Sequence, residues 1–165
     1  MAEGGKQMKK RTCSGLCRYK KEIFWTALTL LYLLFIYSNS MRPAVESSNQ
    51  SQGLLKMIEK AFPFIVHTLG LTEHVLRKMA HFGEYLILGM LLAQTVKVYG
   101  FFLVGQLWLV PLSGFLMASV DEGIQLFTEG RSCQLSDVML DLCGVITGLL
   151  IWRFIRFFRR NNPKR

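Results

Sequence analysis

The sequence predicts an all-α integral membrane protein, arranged as a four-helix bundle. Three observations predict it. Near-continuous apolar runs occur at Ile23–Ser38, Met79–Val96, Phe101–Val120 and Val138–Phe158, in a chain that is 51% hydrophobic with mean hydropathy +0.29. The basic residues gather at the two ends of the chain. Five of the eleven acidic residues fall within the 21 positions Asp121–Asp141, between the third and fourth runs. Ionisable groups at membrane depth are costly and mark chemistry, binding or assembly.

A spanning helix needs about 20 mostly apolar residues. The second, third and fourth runs meet this comfortably. The first reaches it when Tyr37–Ser40 sit in the interface. The expected spans are 23–40, 79–97, 101–121 and 137–158. Four spans put both termini on one side. That side and the short 97–100 turn carry 14 Lys/Arg, against 6 on the other side. The positive-inside rule makes the richer side cytoplasmic. The net charge of +9 is therefore membrane patterning, with lipid headgroups as partners, and is no sign of nucleic acid.

Residues 1–22 read as a disordered basic cytoplasmic tail, and 159–165 as a second basic tail. The first run, with its basic flank and Ser38-Asn39-Ser40, also fits a signal peptide. A retained anchor is the better reading, because three spans would put the basic ends on opposite faces. Residues 41–78 form the external loop. Its start, RPAVESSNQSQG, is polar and turn-rich, and Asn49-Gln50-Ser51 matches a glycosylation sequon. Leu54, Leu55, Met57, Ile58, Phe62, Ile65 and Leu69 then fall near helical spacing, interrupted by Pro63. This is an amphipathic helix on the outer leaflet, or alternatively a lid over the span ends. His67 and His74 read as ordinary loop histidines. Cys13 and Cys17 read as tail thiols, Cys133 as a lone loop cysteine and Cys143 as a helix residue, so no disulfide framework is expected.

The second span opens RKMAHFGEYLILG. Lys78, His81 and Tyr85 share a helical face, and Glu84 lies three residues from His81, within hydrogen-bond reach. Tyr99-Gly100 makes the cytoplasmic turn. The third span ends in Asp121, Glu122 and Gln125. Gly130 and Arg131 form the external turn, and Ser136 is a candidate N-cap for the last helix. Asp137, Asp141, Gly144 and Gly148 run down one face of that helix. Gly144-x3-Gly148 is a surface for close helix packing.

The topology brings the polar ends of all these segments to one external mouth. Asp137 and Asp141 sit at a helix N-terminus, where negative charge is favoured. Asp121 and Glu122 sit at a C-terminus and need a cation, from Lys78, Arg131 or a metal ion.

KMAHFGEYLILG (78–89) resembles the K-x-x-H-F-x-E-Y-x-x-L-G motif of the VanZ-like family of small bacterial membrane proteins. DEGIQLFTEGRSCQLSDVMLDLCGVITG (121–148) resembles its second motif, and Asp141 stands where that motif commonly has Asn. The resemblance covers about residues 23–152. It implies a multi-pass protein of the bacterial plasma membrane. Because the family's eponym is implicated in teicoplanin resistance, it also implies a role in glycopeptide resistance or cell-envelope homeostasis. The implied ligand-binding positions are Lys78, His81, Glu84, Tyr85, Asp121, Glu122, Gln125, Arg131 and Asp137, with Asp141 added by its place on the same face. No enzymatic activity or cofactor is established by the resemblance.

Three functions fit these residues. One is binding or shielding an envelope component such as a lipid headgroup, cell-wall precursor or lipoglycopeptide, with Lys78 and Arg131 on its anionic groups. The second is a membrane-embedded enzyme acting on a lipid-linked phosphate, with His81, Glu84, Asp121 and Glu122 as catalytic candidates. There Asp121, Asp137 and Asp141 would hold a divalent cation, and Arg131 would clamp the phosphate. The third is an ion-paired network that only holds the helices together.

Overall fold

The computed structural model describes residues 2–131 and 134–161. Cys133 lies outside the described residues, as do the side chains of Cys13, Cys17 and His67. The described chain is six helices: α1 (Ala2–Ser40), α2 (Ala44–Ala61), α3 (Pro63–Leu69), α4 (Glu73–Val98), α5 (Leu103–Leu126) and α6 (Leu135–Asn161). Helix α4 touches each of the other three long helices.

Among the described residues, three helices are long and apolar enough to cross a membrane: α1 from Arg18, α5 and α6. The second apolar run, also expected as a span, lies on α4, which falls short of them in apolar character. His81, Glu84 and Gln94 dilute its apolar stretch. The physical reason is position. Leu88, Gly89, Leu92 and Ala93 of α4 are buried against neighbouring helices, so this helix needs less apolar surface of its own. The outward faces of the other three are apolar, with Leu31, Leu34, Trp108, Leu116, Leu150 and Phe154 all exposed. Apolar patches this large mark a membrane or partner surface.

Helix α1 runs through the segment expected to be a disordered tail. Elongating a formed helix adds one hydrogen bond per residue fixed, and Lys, Arg, Gln and Met are good helix formers. The polar start of the external loop is also helical, as the first half of α2. Its carboxamides and hydroxyls find partners outside the helix. Ser48 and Gln52 donate to the two oxygens of Glu73, at the start of α4. The amide of Ala44 donates to the Glu129 carbonyl at 3.1 Å. Helix α2 buries no residue, so polar contacts tether it. Pro63 ends α2, because a residue before proline is driven out of the helical region; Phe62 has φ −141°. Proline is then well placed in the first turn of α3.

The closest packing is between α4 and α6. A Cβ on Gly148 would collide with the Leu86 carbonyl oxygen, and one on Gly144 would lie 2.7 Å from the Phe82 carbonyl. Gly89 answers from α4, against the Val145 backbone. Helices α1, α4 and α5 join at one atom: the hydroxyls of Tyr37 and Tyr85 donate to the Met117 carbonyl at 3.2 and 3.5 Å. The 99–100 turn forms as expected, with Gly100 at φ 89° and its amide bonded to Lys97. Gly130, at φ 73°, supplies the bend between α5 and α6, a conformation costly for other residues.

Gly148→Val should lower the thermal stability of the detergent-purified protein by at least the ~1–3 kcal/mol typical of overpacking. Gly123→Ala, where nothing lies within 4 Å, should be neutral or slightly stabilising. Equal melting curves for the two variants would refute the close-packed interface. A second expectation concerns Glu73, whose carboxyl is held below its ordinary range by the hydrogen bonds from Ser48 and then Gln52. A lowered folded value means the tether is complete above the ordinary carboxylate range and is lost as pH falls through the lowered value. Spin labels at Lys56 and Ala80 should therefore separate on acidification. An acid-insensitive distance, or one that Glu73→Ala leaves unchanged at neutral pH, would refute the tether.

Candidate functional site

Four segment ends meet on one side of the protein: the last residues of α1, the first turns of α4, the end of α5 and the start of α6. Between them is a cavity of about 160 Å³ lined by His74, Arg77, Lys78, His81, Glu122, Gln125, Gly130, Arg131, Gln134, Asp137, Leu140 and Asp141. Each position follows from local geometry. Thr72 caps α4 by accepting from the Val75 amide at 3.3 Å, so His74, Arg77, Lys78 and His81 recur along one face of the first turns. Helix α6 starts from the Gln134 carbonyl, which accepts from the Asp137 amide at 2.9 Å. Ser136 therefore lies inside the helix rather than capping it, and its hydroxyl reaches Gln134 Oε1 and Asp137 Oδ1.

Of the residues expected at the site, Lys78, His81, Glu122, Gln125, Arg131, Asp137 and Asp141 line the cavity. Glu84, Tyr85 and Asp121 do not. Tyr85 is fully buried, with its hydroxyl turned to Met117. Glu84 accepts from Asn39 Nδ2 at 2.8 Å, while His81 Nδ1 stands 4.0 Å from its other oxygen. His81 and Glu84 thus stand near each other without a direct hydrogen bond, and Asn39 takes the other oxygen of that carboxylate. Asp121 has no exposed surface and accepts from Gln125 at 3.5 Å. Among the described residues, none of α2 or α3 lines the cavity.

Arg77, His74 and Gln134 join the site unexpectedly. His74 had the bland reading of a loop histidine, yet the helix begins one residue before it. The spacing 74, 77, 78, 81 was the available signal.

The charges sort differently from the expectation. Lys78 pairs with Asp137 at 2.7 Å, the carboxylate already favoured at a helix start, and not with Asp121 or Glu122. Glu122 Oε2 accepts from the Gln134 amide at 3.0 Å. Arg131 donates to the Asn39 carbonyl at 3.5 Å, and its Nε is buried without a partner. Burial first, and the nearby Arg77 charge second, pull the Arg131 guanidinium below its ordinary value. It stays charged at neutral pH. Among the described residues neither Arg77 nor Arg131 forms an ion pair. One group offers three metal-type donors: an atom each from His81, Asp121 and Asp141, all within 4.8 Å of one another. Asp137, expected in such a set, is taken by Lys78.

A protein with three membrane-length helices and a charged cavity at one end of them is the class that these features define. The VanZ/LLP1 family model matches residues 24–156, and the chain belongs to that family. No curated protein and no solved structure matches it.

Among the described residues, the closest ion pair at the cavity is Lys78–Asp137, with both side chains about one-third exposed. A double-mutant cycle of Lys78→Met and Asp137→Asn should give only ~0.2–1 kcal/mol of coupling in thermal unfolding. Coupling of several kcal/mol would instead make the site a structural brace.

Proposed function

We propose that this protein binds an anionic group of an envelope lipid or lipid-linked cell-wall precursor in the outward cavity. The observation that carries the reading is the pair of guanidiniums, Arg77 and Arg131. They share one small cavity without an ion pair among the described residues, close enough for one charge to weaken the other. The carboxylates of Asp121, Glu122 and Glu84 offset the Arg131 charge only from beyond ion-pair distance, so the two like charges favour a ligand that answers both. Guanidinium is well suited to phosphate and carboxylate oxygens. Gln125 adds an amide for neutral polar groups.

The membrane arrangement behind this reading has four spans, α4 among them, forming a bundle in the bacterial plasma membrane. At 1.5 Å per residue, the 26 residues of α4 extend ~39 Å, enough to cross. Lys97, Arg153, Arg156, Arg159 and Arg160 gather at the end away from the cavity. Both termini are then cytoplasmic and the cavity faces out. An outward anion site fits protection against teicoplanin, or upkeep of the envelope, by engaging a surface component.

In nanodiscs of zwitterionic lipid, the wild-type protein should bind a short-chain prenyl phosphate. Arg77→Ala with Arg131→Ala should weaken that binding at least ~10-fold, equivalent to loss of about 1.4 kcal/mol. Cells expressing that variant at normal membrane level should show altered teicoplanin susceptibility. Unchanged affinity in the double variant would refute the site.

A further inference from the structure

We propose that His81, Asp121 and Asp141 form a site for one first-row divalent cation, at the floor of the cavity and open towards it. The donors come from three helices: α4, α5 and α6. Asp121 and Asp141 have 0% and 1% of their surface exposed. Two carboxylates buried side by side cannot both stay ionised without a neutralising partner. Among the described residues no basic side chain pairs with either one.

A second observation points to a ligand between them. Five buried side-chain atoms in the described residues have no hydrogen-bond partner: Ser40 Oγ, His81 Nδ1, Asp121 Oδ1, Arg131 Nε and Asp141 Oδ1. Three of the five belong to this one cluster. Buried polar groups are nearly always satisfied, and orphaned ones in a group mark an ion, a water or a proton relay. The donors decide among these. An imidazole nitrogen with two carboxylate oxygens suits zinc, manganese or ferrous iron better than calcium, which takes oxygen alone. Metal–ligand bonds of about 2.1 Å put tetrahedral donors about 3.4 Å apart. The three donors, within 4.8 Å of one another, would close on an ion by side-chain rotation.

Three protein donors leave coordination positions open, as in zinc sites that take up water or substrate. His81 and Asp141 line the cavity, while Asp121 lies behind them, so the open positions face the ligand space. Resting on the anion-binding reading, the ion would take one oxygen of the bound phosphate group and the two arginines the others. This deepens that reading, but the ion site stands on its own geometry.

The test uses the full chain in detergent, stripped with a chelator. It is titrated separately with Zn²⁺, Mn²⁺ and Mg²⁺, without any phosphate. Wild type should take up one saturable equivalent of Zn²⁺ or Mn²⁺, with Mg²⁺ bound at least ~10-fold more weakly. His81→Ala, Asp121→Asn and Asp141→Asn should each weaken binding about 100-fold or more, beyond the 10–100-fold typical of outer-shell partners. Glu129→Gln, on the exposed turn, should leave it unchanged. Co²⁺ should give a visible absorption that Asp121→Asn removes. No saturable equivalent in the wild type overturns the proposal even where a variant fails to fold. So does equal affinity in wild type and all three variants, or equal binding of Mg²⁺. Arg77→Ala with Arg131→Ala should keep the ion and lose the prenyl phosphate. An ion retained with phosphate binding unaffected by the arginines would therefore sink only the anion reading.

Discussion

The contact between α4 and α6 is what the rest of the structure depends on. Gly144 and Gly148 bring α6 against the carbonyls of Phe82 and Leu86, and Gly89 lets α4 approach Val145. Without hydrophobic drive between helices in lipid, close backbone packing is a main source of association. Here it also sets register. Asp141 sits one turn before Gly144 and faces α4 at the level of His81. Asp137, one turn earlier, meets Lys78. The same three glycines that join the helices thus decide which carboxylate meets which base.

Packing at this level explains the division of labour among the carboxylates. Asp137 is near the surface, at a helix start, with an ammonium beside it. Glu122 is turned to the backbone of the 127–134 turn through Gln134. Glu84 is given to Asn39 on α1. Asp121 and Asp141 each keep one buried oxygen, Oδ1, without a hydrogen-bond partner in the described chain, with Ser40, Gln125 and Tyr85 beside the Asp121 carboxylate. One cavity therefore offers a guarded acidic floor beneath a cationic wall, and the two parts call for different ligands.

Much of this was legible in the sequence. Apolar length and basic ends gave the membrane helices, and the small-x3-small stripe gave the α6 interface. The polar residues at span ends gave the location of the site. What the sequence could not carry was partner choice. Lys78 has several acidic residues at the same mouth, and only the α4–α6 register selects Asp137. Asn39 reads as an interfacial polar residue until α1 is packed beside Glu84. His74 was hidden because the helix start was placed too late, beyond the point that Thr72 caps, and Arg77, at the start of the expected helix, was not among the residues singled out. Helix α4 is less apolar than the other long helices, because a central helix can carry polar residues that a lipid-facing one cannot. Helix in the basic N-terminal segment and in α2 was missed because polar composition was weighed above helix propensity.

The join at Met117 has a consequence for how faults spread through this protein. Two phenols, from α1 and α4, converge on one carbonyl of α5, one turn before Asp121. Their contributions overlap, since a single acceptor is satisfied by either donor. The loss of one hydroxyl is buffered by the other, and only the loss of both removes this fastening of α5 to α1 and α4. The approach to the buried floor of the cavity is thus built with a spare fastening, so its tolerance to single changes overstates how firmly it is held.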